Sequence, residues 1–188
     1  MKFILGSKSP GRRQILTKMG YEFTVLDPNI DEKSIRNNAP EKLVVALACA
    51  KAMALLPKIN EAAILITSDQ VVSCNGKILE KPKDQNEARE FLHMYMQYPA
   101  ETITAVTVTN TLNKKQASGV DIAKIWFHLI PENMIEKIAN QEYVVTCAGG
   151  FSLDDLLLKK YIANIEGALD SITGLPIELT KKLILKVS

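Results

Sequence analysis

At 188 residues, with 47% hydrophobic side chains, the chain is long enough for one full core, or for one core with a subsidiary lobe. A net charge of +2 is too balanced for a broad nucleic-acid or membrane surface, so any anion site must be local. Cys49, Cys74 and Cys147 are widely spaced with no CxxC pair, and only two histidines occur, which argues for a reducing compartment and against structural zinc.

The start, MKFILGSKSP, has too short an apolar run for a signal peptide, and no apolar stretch reaches membrane-spanning length. A soluble cytoplasmic protein is expected. Phe3-Ile4-Leu5 reads as a short strand that empties into Gly6-Ser7-Lys8. Ser9 then reads as a helix N-cap with Pro10 at the first helical position. Ile15, Leu16 and Met19 make one apolar face, and Gly20 stops the helix. This strand–loop–helix unit brings backbone N–H groups, a helix dipole and the cations Lys8, Arg12 and Arg13 to one region. That combination suits a phosphate chain. An ordinary strand–turn–helix with solvated arginines stays open as the alternative.

Tyr21–Val25 alternates as a strand, and the polar segment 27–39, carrying Asp31-Glu32, reads as a loop. Pro40 starts a helix whose apolar rows are interrupted by Lys51. This lysine either snorkels to water or holds a cation at the edge of the core. Ala62–Thr67 reads as a buried strand ending in Ser68-Asp69-Gln70, a common way to present a catalytic or metal-binding carboxylate. Asn75-Gly76, between Val71–Cys74 and Lys77–Lys81, signals a hairpin with a type I′ turn. Its register sets Cys74 opposite Lys77 and, counted back, Gln70 opposite Lys81. Ideal pleating puts Asp69 and Lys81 on opposite faces, so a shared site needs a bulge or frayed pairing there; a solvated cross-strand pair is the alternative.

Asp84 and Glu87 form a capping-box pattern for a helix to about Met96, with Ala88, Phe91, Leu92 and Tyr95 inward. Glu101–Thr111 and Val120–His128 read as strands, and Pro131 opens a helix carrying Met134, Ile135 and Ile138. Val144–Cys147 reads as short and extended, Ala148–Phe151 as a tight bend with Asp154-Asp155 just beyond it. Tyr161–Ile165 reads as a strand, Gly167–Gly174 as a loop, and Pro176 starts the last helix. Strands and helices mix, which indicates an α/β fold with a mixed sheet.

The first half gathers Arg12, Arg13, Lys51 and Lys81 with the carboxylates Glu32 and Asp69. Cations with separated carboxylates suit metal-assisted phosphate chemistry: carboxylates hold Mg²⁺ or Mn²⁺ against a triphosphate, and one takes a proton from the attacking water. Spacing alone does not bring these groups together, and a plain surface charge stays open for each.

At this point the chain resembles the Maf, or septum formation, family of nucleoside triphosphate pyrophosphatases. The matching pieces are ILGSKSPGRRQIL, PNIDE, Ala48-Cys49-Ala50-Lys51-Ala52, SDQVV with NGKILEKP, CAGGF and IEGALDSITGLPI, in family order over nearly the whole chain. The resemblance implies a two-lobed α/β structure, a single domain over 1–188, with an elongated mixed sheet, flanking helices and a central cleft. It implies cleavage between the α- and β-phosphates of a nucleoside triphosphate with a divalent metal. Asp69 matches the proton acceptor. Ser7, Ser9, Arg12, Arg13, Lys51 and Lys81 match phosphate-contacting positions, and Glu32 matches an acidic residue for metal or water, so Glu32 and Asp69 are the expected metal ligands. Ser68-Asp69-Gln70 and the acidic Asp154 resemble the branch acting on 7-methyl-GTP rather than the one acting on dTTP and UTP. A carboxylate at 154 can accept from the N1–H and 2-amino group of guanine, with Gln70 as a further substrate contact. Asp154 stands for the family's usual Glu, Asp155 for an expected Gly, Glu80 for a Gly before Lys81, and Gln97-Tyr98-Pro99 lacks the usual Ser-Gly. A homodimer is the family expectation. Two other readings stay open: the dTTP/UTP activity, and a non-catalytic nucleotide-binding regulator of division.

Overall fold

The structure is a computed structural model that describes residues 1–188. The chain opens with strand β1 (Lys2–Leu5), helix α1 (Pro10–Lys18) and strand β2 (Phe23–Val25). A single 3-10 turn, Glu32–Ser34, precedes α2 (Pro40–Leu55). Strands β3 (Ala63–Cys74) and β4 (Lys77–Leu79) form the hairpin, followed by α3 (Gln85–Tyr95), β5 (Ala100–Asn110), β6 (Gln116–Phe127) and α4 (Glu132–Ala139). The chain closes with β7 (Ile162–Glu166), α5 (Leu169–Thr173) and α6 (Ile177–Val187). The hydrogen-bonded strand order is β2-β1-β3-β5-β6-β7, with β4 paired to β3. β1 runs parallel to β2 and β3, whereas β3–β4 and β6–β7 are antiparallel, so the sheet is mixed as expected. None of the helices is long and apolar enough to cross a membrane.

The chain divides into two compact units. The first comprises Met1–Gln70, Thr104–Asp121 and Leu169–Ser188; the second comprises Val71–Ile103 and Ile122–Ala168. In the first unit, strand alternation sorts the core onto two faces. Leu5, Ile64 and Ile66 pack with Ile15 and Leu16 of α1 and with Leu183, Ile184 and Val187 of α6. Ile4, Ala63 and Leu65 point the other way, onto Ala52 and Leu55 of α2. At about 25 cal/mol per Å² of apolar area, this two-sided burial is what fixes the strand register, since a one-residue slip would exchange the faces. In the second unit, Tyr95, Phe127 and Phe151 form an aromatic cluster with centroids 5.6–6.1 Å apart. The buried Tyr95 hydroxyl donates to the Gly149 carbonyl at 2.7 Å.

Four local readings are corrected. β3 is one continuous strand to Cys74, so Asp69 lies inside a strand rather than past its end. Val144–Thr146 is a 3-10 turn, not an extended segment, because the Thr146 amide and hydroxyl both donate to the Tyr143 carbonyl, at 2.8 and 2.6 Å. Leu169–Thr173 is a short helix where a loop was expected; Gly174, at φ 107°, ends it. β6 also begins earlier than expected, at Gln116.

Candidate active site

The first loop is shaped by close approach. Gly6 donates to the Ile66 carbonyl at 2.8 Å, and a Cβ on it would lie 2.6 Å from Leu55 and 2.7 Å from Thr67. A larger residue there would have to displace the side chains of Leu55 on α2 and Thr67 on β3. Ser9 caps α1, accepting from the Arg12 amide at 3.4 Å, and Ser7 Oγ accepts from the Ser9 amide at 3.2 Å.

Of the three cations on this loop, only Arg12 turns inward. Its Nε donates to the Gly174 carbonyl at 2.9 Å, and its Nη1 donates to the Ser68 carbonyl at 2.9 Å and to Ser7 Oγ at 3.2 Å. Nη2 makes no bond within the protein and remains available as a donor. Burial pulls the guanidinium pKa down, while Asp69 and Glu32 oppose that change by their charge. Arg13, in contrast, is exposed and donates to the Lys8 carbonyl at 2.8 Å, and Lys8 pairs with Asp27 at 2.5 Å.

Lys51 does not snorkel to water. It is only 6% exposed, and its Nζ lies 2.5 Å from Asp69 Oδ1 and 2.7 Å from Glu32 Oε1. Asp69 is 7% exposed, whereas the Glu32 side chain is half exposed. The register explains how β3 offers this carboxylate. Pairing with β1 ends at Leu5↔Ile66, and pairing with β4 begins at Val72↔Leu79. Asp69 therefore falls in the stretch where one edge of β3 has left its parallel partner and has not yet met its antiparallel one. Glu32 comes from the 3-10 turn in the polar loop, whose N-cap is Asp31 accepting from the Lys33 amide at 3.1 Å. Asp69 and Glu32 each give one oxygen to the Lys51 ammonium, and no group of three or more His, Cys, Asp or Glu side chains stands together. Mg²⁺ or Mn²⁺ is usually held by only one or two carboxylates with substrate phosphates completing the shell, so these two carboxylates are the residues that could hold one.

Gln70, next to Asp69, bonds to the protein. Its Nε2 donates to Thr104 Oγ1 at 2.8 Å and to the carbonyls of Ser171 and Ile172 at 2.9 and 3.1 Å. Ser68 Oγ donates to the Gly174 carbonyl at 2.9 Å, beside Arg12. The segment Ser171–Gly174 thus braces both Arg12 and Gln70. Residue types alone did not single out Ser68 or Gly174; the clue available was the distinct DSITG segment, whose partners lie more than 100 residues away.

Lys81 and Asp154 belong to the second unit. The hairpin register matches the expected Cys74↔Lys77, with Asn75 and Gly76 at φ 47° and 74°, and pairing ends at Leu79. The Glu80 carbonyl then accepts from the Gly149 amide at 3.0 Å, which ties the Lys81 segment to the glycine bend. Lys81 is close enough to Cys147 to favour its thiolate, but burial dominates and pushes that thiol's pKa up. Asp154 is exposed, while Asp155 beside it is buried.

The first unit gathers an inward arginine from α1, a buried lysine from α2 and carboxylates from β3 and the 3-10 turn, a charge set suited to phosphate. Residues 2–187 match the family described as Maf-like protein, and the chain belongs to that family. It is 41% identical to a 7-methyl-GTP pyrophosphatase of Dictyostelium discoideum, over 98% of this chain and 96% of that protein. It is 32% identical to a dTTP/UTP pyrophosphatase of Vibrio vulnificus strain YJ016, over 97% of each chain. A solved structure of a nucleoside-triphosphatase, a dITP/XTP pyrophosphatase from Mycobacterium abscessus, aligns over 90% of this chain and 88% of its own at a TM-score of 0.46 and 14% identity.

Proposed function

We propose that this protein is a nucleoside triphosphate pyrophosphatase that hydrolyses the bond between the α- and β-phosphates, with 7-methyl-GTP as its preferred substrate. The observation that carries this reading is the buried Lys51–Asp69 pair, 2.5 Å apart, with Glu32 on the same ammonium and Arg12 within electrostatic reach. It stands in a chain 41% identical to a named 7-methyl-GTP pyrophosphatase.

In this reading the hydroxyls of Ser7 and Ser9 receive phosphate oxygens, and Arg12 presents Nη2 to them from its fixed mount. Asp69 takes a proton from the attacking water. The water oxygen bonds to the α-phosphorus, the bridging oxygen leaves with pyrophosphate, and the nucleoside monophosphate remains. Lys51 offsets charge on the phosphates, with Arg13 contributing from the exposed side of the loop; Lys81, of the second unit, is a further candidate phosphate contact. Glu32 and Asp69 would hold a divalent cation, which when bound would neutralise charge on the leaving pyrophosphate. Asp154 pairs with the donor edge of guanine, and Gln70 acts by bracing the loop as well as by any contact with substrate.

The test is pyrophosphate release over a panel of 7-methyl-GTP, GTP, dTTP, UTP and ATP with Mg²⁺ or Mn²⁺. Release fastest from 7-methyl-GTP supports the proposal. Release fastest from dTTP or UTP overturns the base assignment, and tight nucleotide binding with no release overturns the activity.

A further inference from the structure

The second unit contains a pocket of about 620 Å³ whose walls include Tyr143, Cys147, Asp154, Asp155, Leu156 and Leu157. Its volume suits a planar base with its sugar. Asp155 is 8% exposed, and every partner it has is neutral. Its Oδ2 accepts from the Tyr143 hydroxyl at 2.6 Å and from Gln141 Nε2 at 2.8 Å, and its Oδ1 accepts from the Leu157 amide at 2.8 Å. No lysine, arginine or histidine pairs with it. Neutral donors stabilise a buried carboxylate without cancelling its charge, and that charge acts more strongly across a poorly solvated wall than across water. Burial and Asp155 together push the Tyr143 pKa upward, which keeps the phenol a donor.

These bonds do two things. They tie the loop carrying Asp154 to the turn at Tyr143, so the exposed carboxylate is presented on an ordered segment and loses less freedom on binding. They also set a second, uncompensated negative charge beside Asp154. A ligand whose ring carries positive charge matches that arrangement.

We infer that Asp155 is a specificity-determining residue, making this pocket select a positively charged aromatic base, such as an N-alkylated purine, over its neutral parent. This rests on the nucleotide reading above and deepens it. A glycine at 155, as the family resemblance leads one to expect, would supply neither the charge nor the three acceptor bonds.

The experiment compares kcat/KM for 7-methyl-GTP and GTP in the wild type, Asp155→Asn and Tyr143→Phe. In parallel, calorimetry measures binding of 7-methyl-GMP and GMP, which reads base preference without turnover. Asp155→Asn is expected to lower the methylated-to-unmethylated ratio by about tenfold, through KM, and Tyr143→Phe by about threefold, with the double variant no worse than Asp155→Asn. A ratio unchanged in Asp155→Asn overturns the inference. If that variant does not fold, an unchanged ratio in Tyr143→Phe overturns it instead. If the wild type releases no pyrophosphate from any nucleotide, the activity reading fails, and the ratio of monophosphate affinities still decides the pocket.

Discussion

Lys51 and Asp69 come from different elements, α2 and β3, and meet as a buried ion pair with Nζ and Oδ1 2.5 Å apart. Such a pair gains little over a well-packed apolar pair of the same volume, because desolvation of both charges opposes their attraction. Its presence in the first unit's interior therefore points to chemistry rather than to stability. Removing one partner, however, leaves the other charged and buried.

Asp69→Asn is expected to abolish the proton acceptor while keeping the shape of the site. Turnover should fall by about a thousandfold, within the range a general base contributes, with nucleotide affinity changed by less than about tenfold. Pyrophosphate release and calorimetric titration with a non-hydrolysable analogue check both halves. Near-normal turnover removes Asp69 from the chemistry.

Lys51→Met tests the pair from the other side. Asp69 then keeps a buried charge without its ammonium, and stability should drop by about 3 kcal/mol. Urea denaturation reads this directly. A loss below about 1 kcal/mol, the value for exposed pairs, would mean that Lys51 is solvated after all.

Arg12→Lys keeps the charge but loses the fork that reaches Gly174, Ser68 and Ser7 together. A lysine cannot hold both carbonyls and still present a donor outward. KM for the nucleotide should rise by about tenfold, and backbone amides of Ser171–Gly174 should exchange faster with solvent. Unchanged exchange would show that this segment is held without Arg12.

Gly149 sits at φ 69°, and a Cβ there would lie 2.7 Å from both the Tyr95 hydroxyl and Val72. Gly149→Ala should cost about 2 kcal/mol or more, as strain and clash add. Thermal unfolding checks it; a melting temperature within a degree of wild type contradicts the packing described.

The buried Cys74 thiol has its pKa pushed up to about 11 by burial, with the Glu101 charge adding to the effect, against an ordinary value of 9.0. The folded value lies above the unfolded one. This contribution to stability is therefore complete below about pH 9 and is lost as pH rises through about 11. Cys74→Ala should flatten the stability profile across that window. A profile as steep as that of the wild type would place the pH dependence elsewhere.

Much of the frame is legible in the sequence, because its signals are local. Ser9-Pro10 marks a helix start, Asn75-Gly76 sets a hairpin register, and alternation on β1 and β3 assigns two faces. Lys51 was ambiguous because periodicity shows only that a lysine interrupts an apolar row; whether it reaches water depends on what β3 places opposite. The length of β3 is not legible in the sequence because Ser68-Asp69-Gln70 looks like a strand end, whereas the strand changes partners there. The bracing of Arg12 by Gly174, 162 residues away, has no local signature. Asp155 appeared only as a departure from a family pattern, and its burial against Tyr143 depends on the turn at Val144–Thr146, which local propensity described as extended.

The central claim is that water attacks the α-phosphorus and pyrophosphate leaves. Hydrolysis of 7-methyl-GTP in ¹⁸O-labelled water, read by mass spectrometry, tests it most directly. The account predicts one labelled oxygen in the nucleoside monophosphate and none in the pyrophosphate. Label in pyrophosphate or in inorganic phosphate, with an unlabelled nucleotide product, would contradict it.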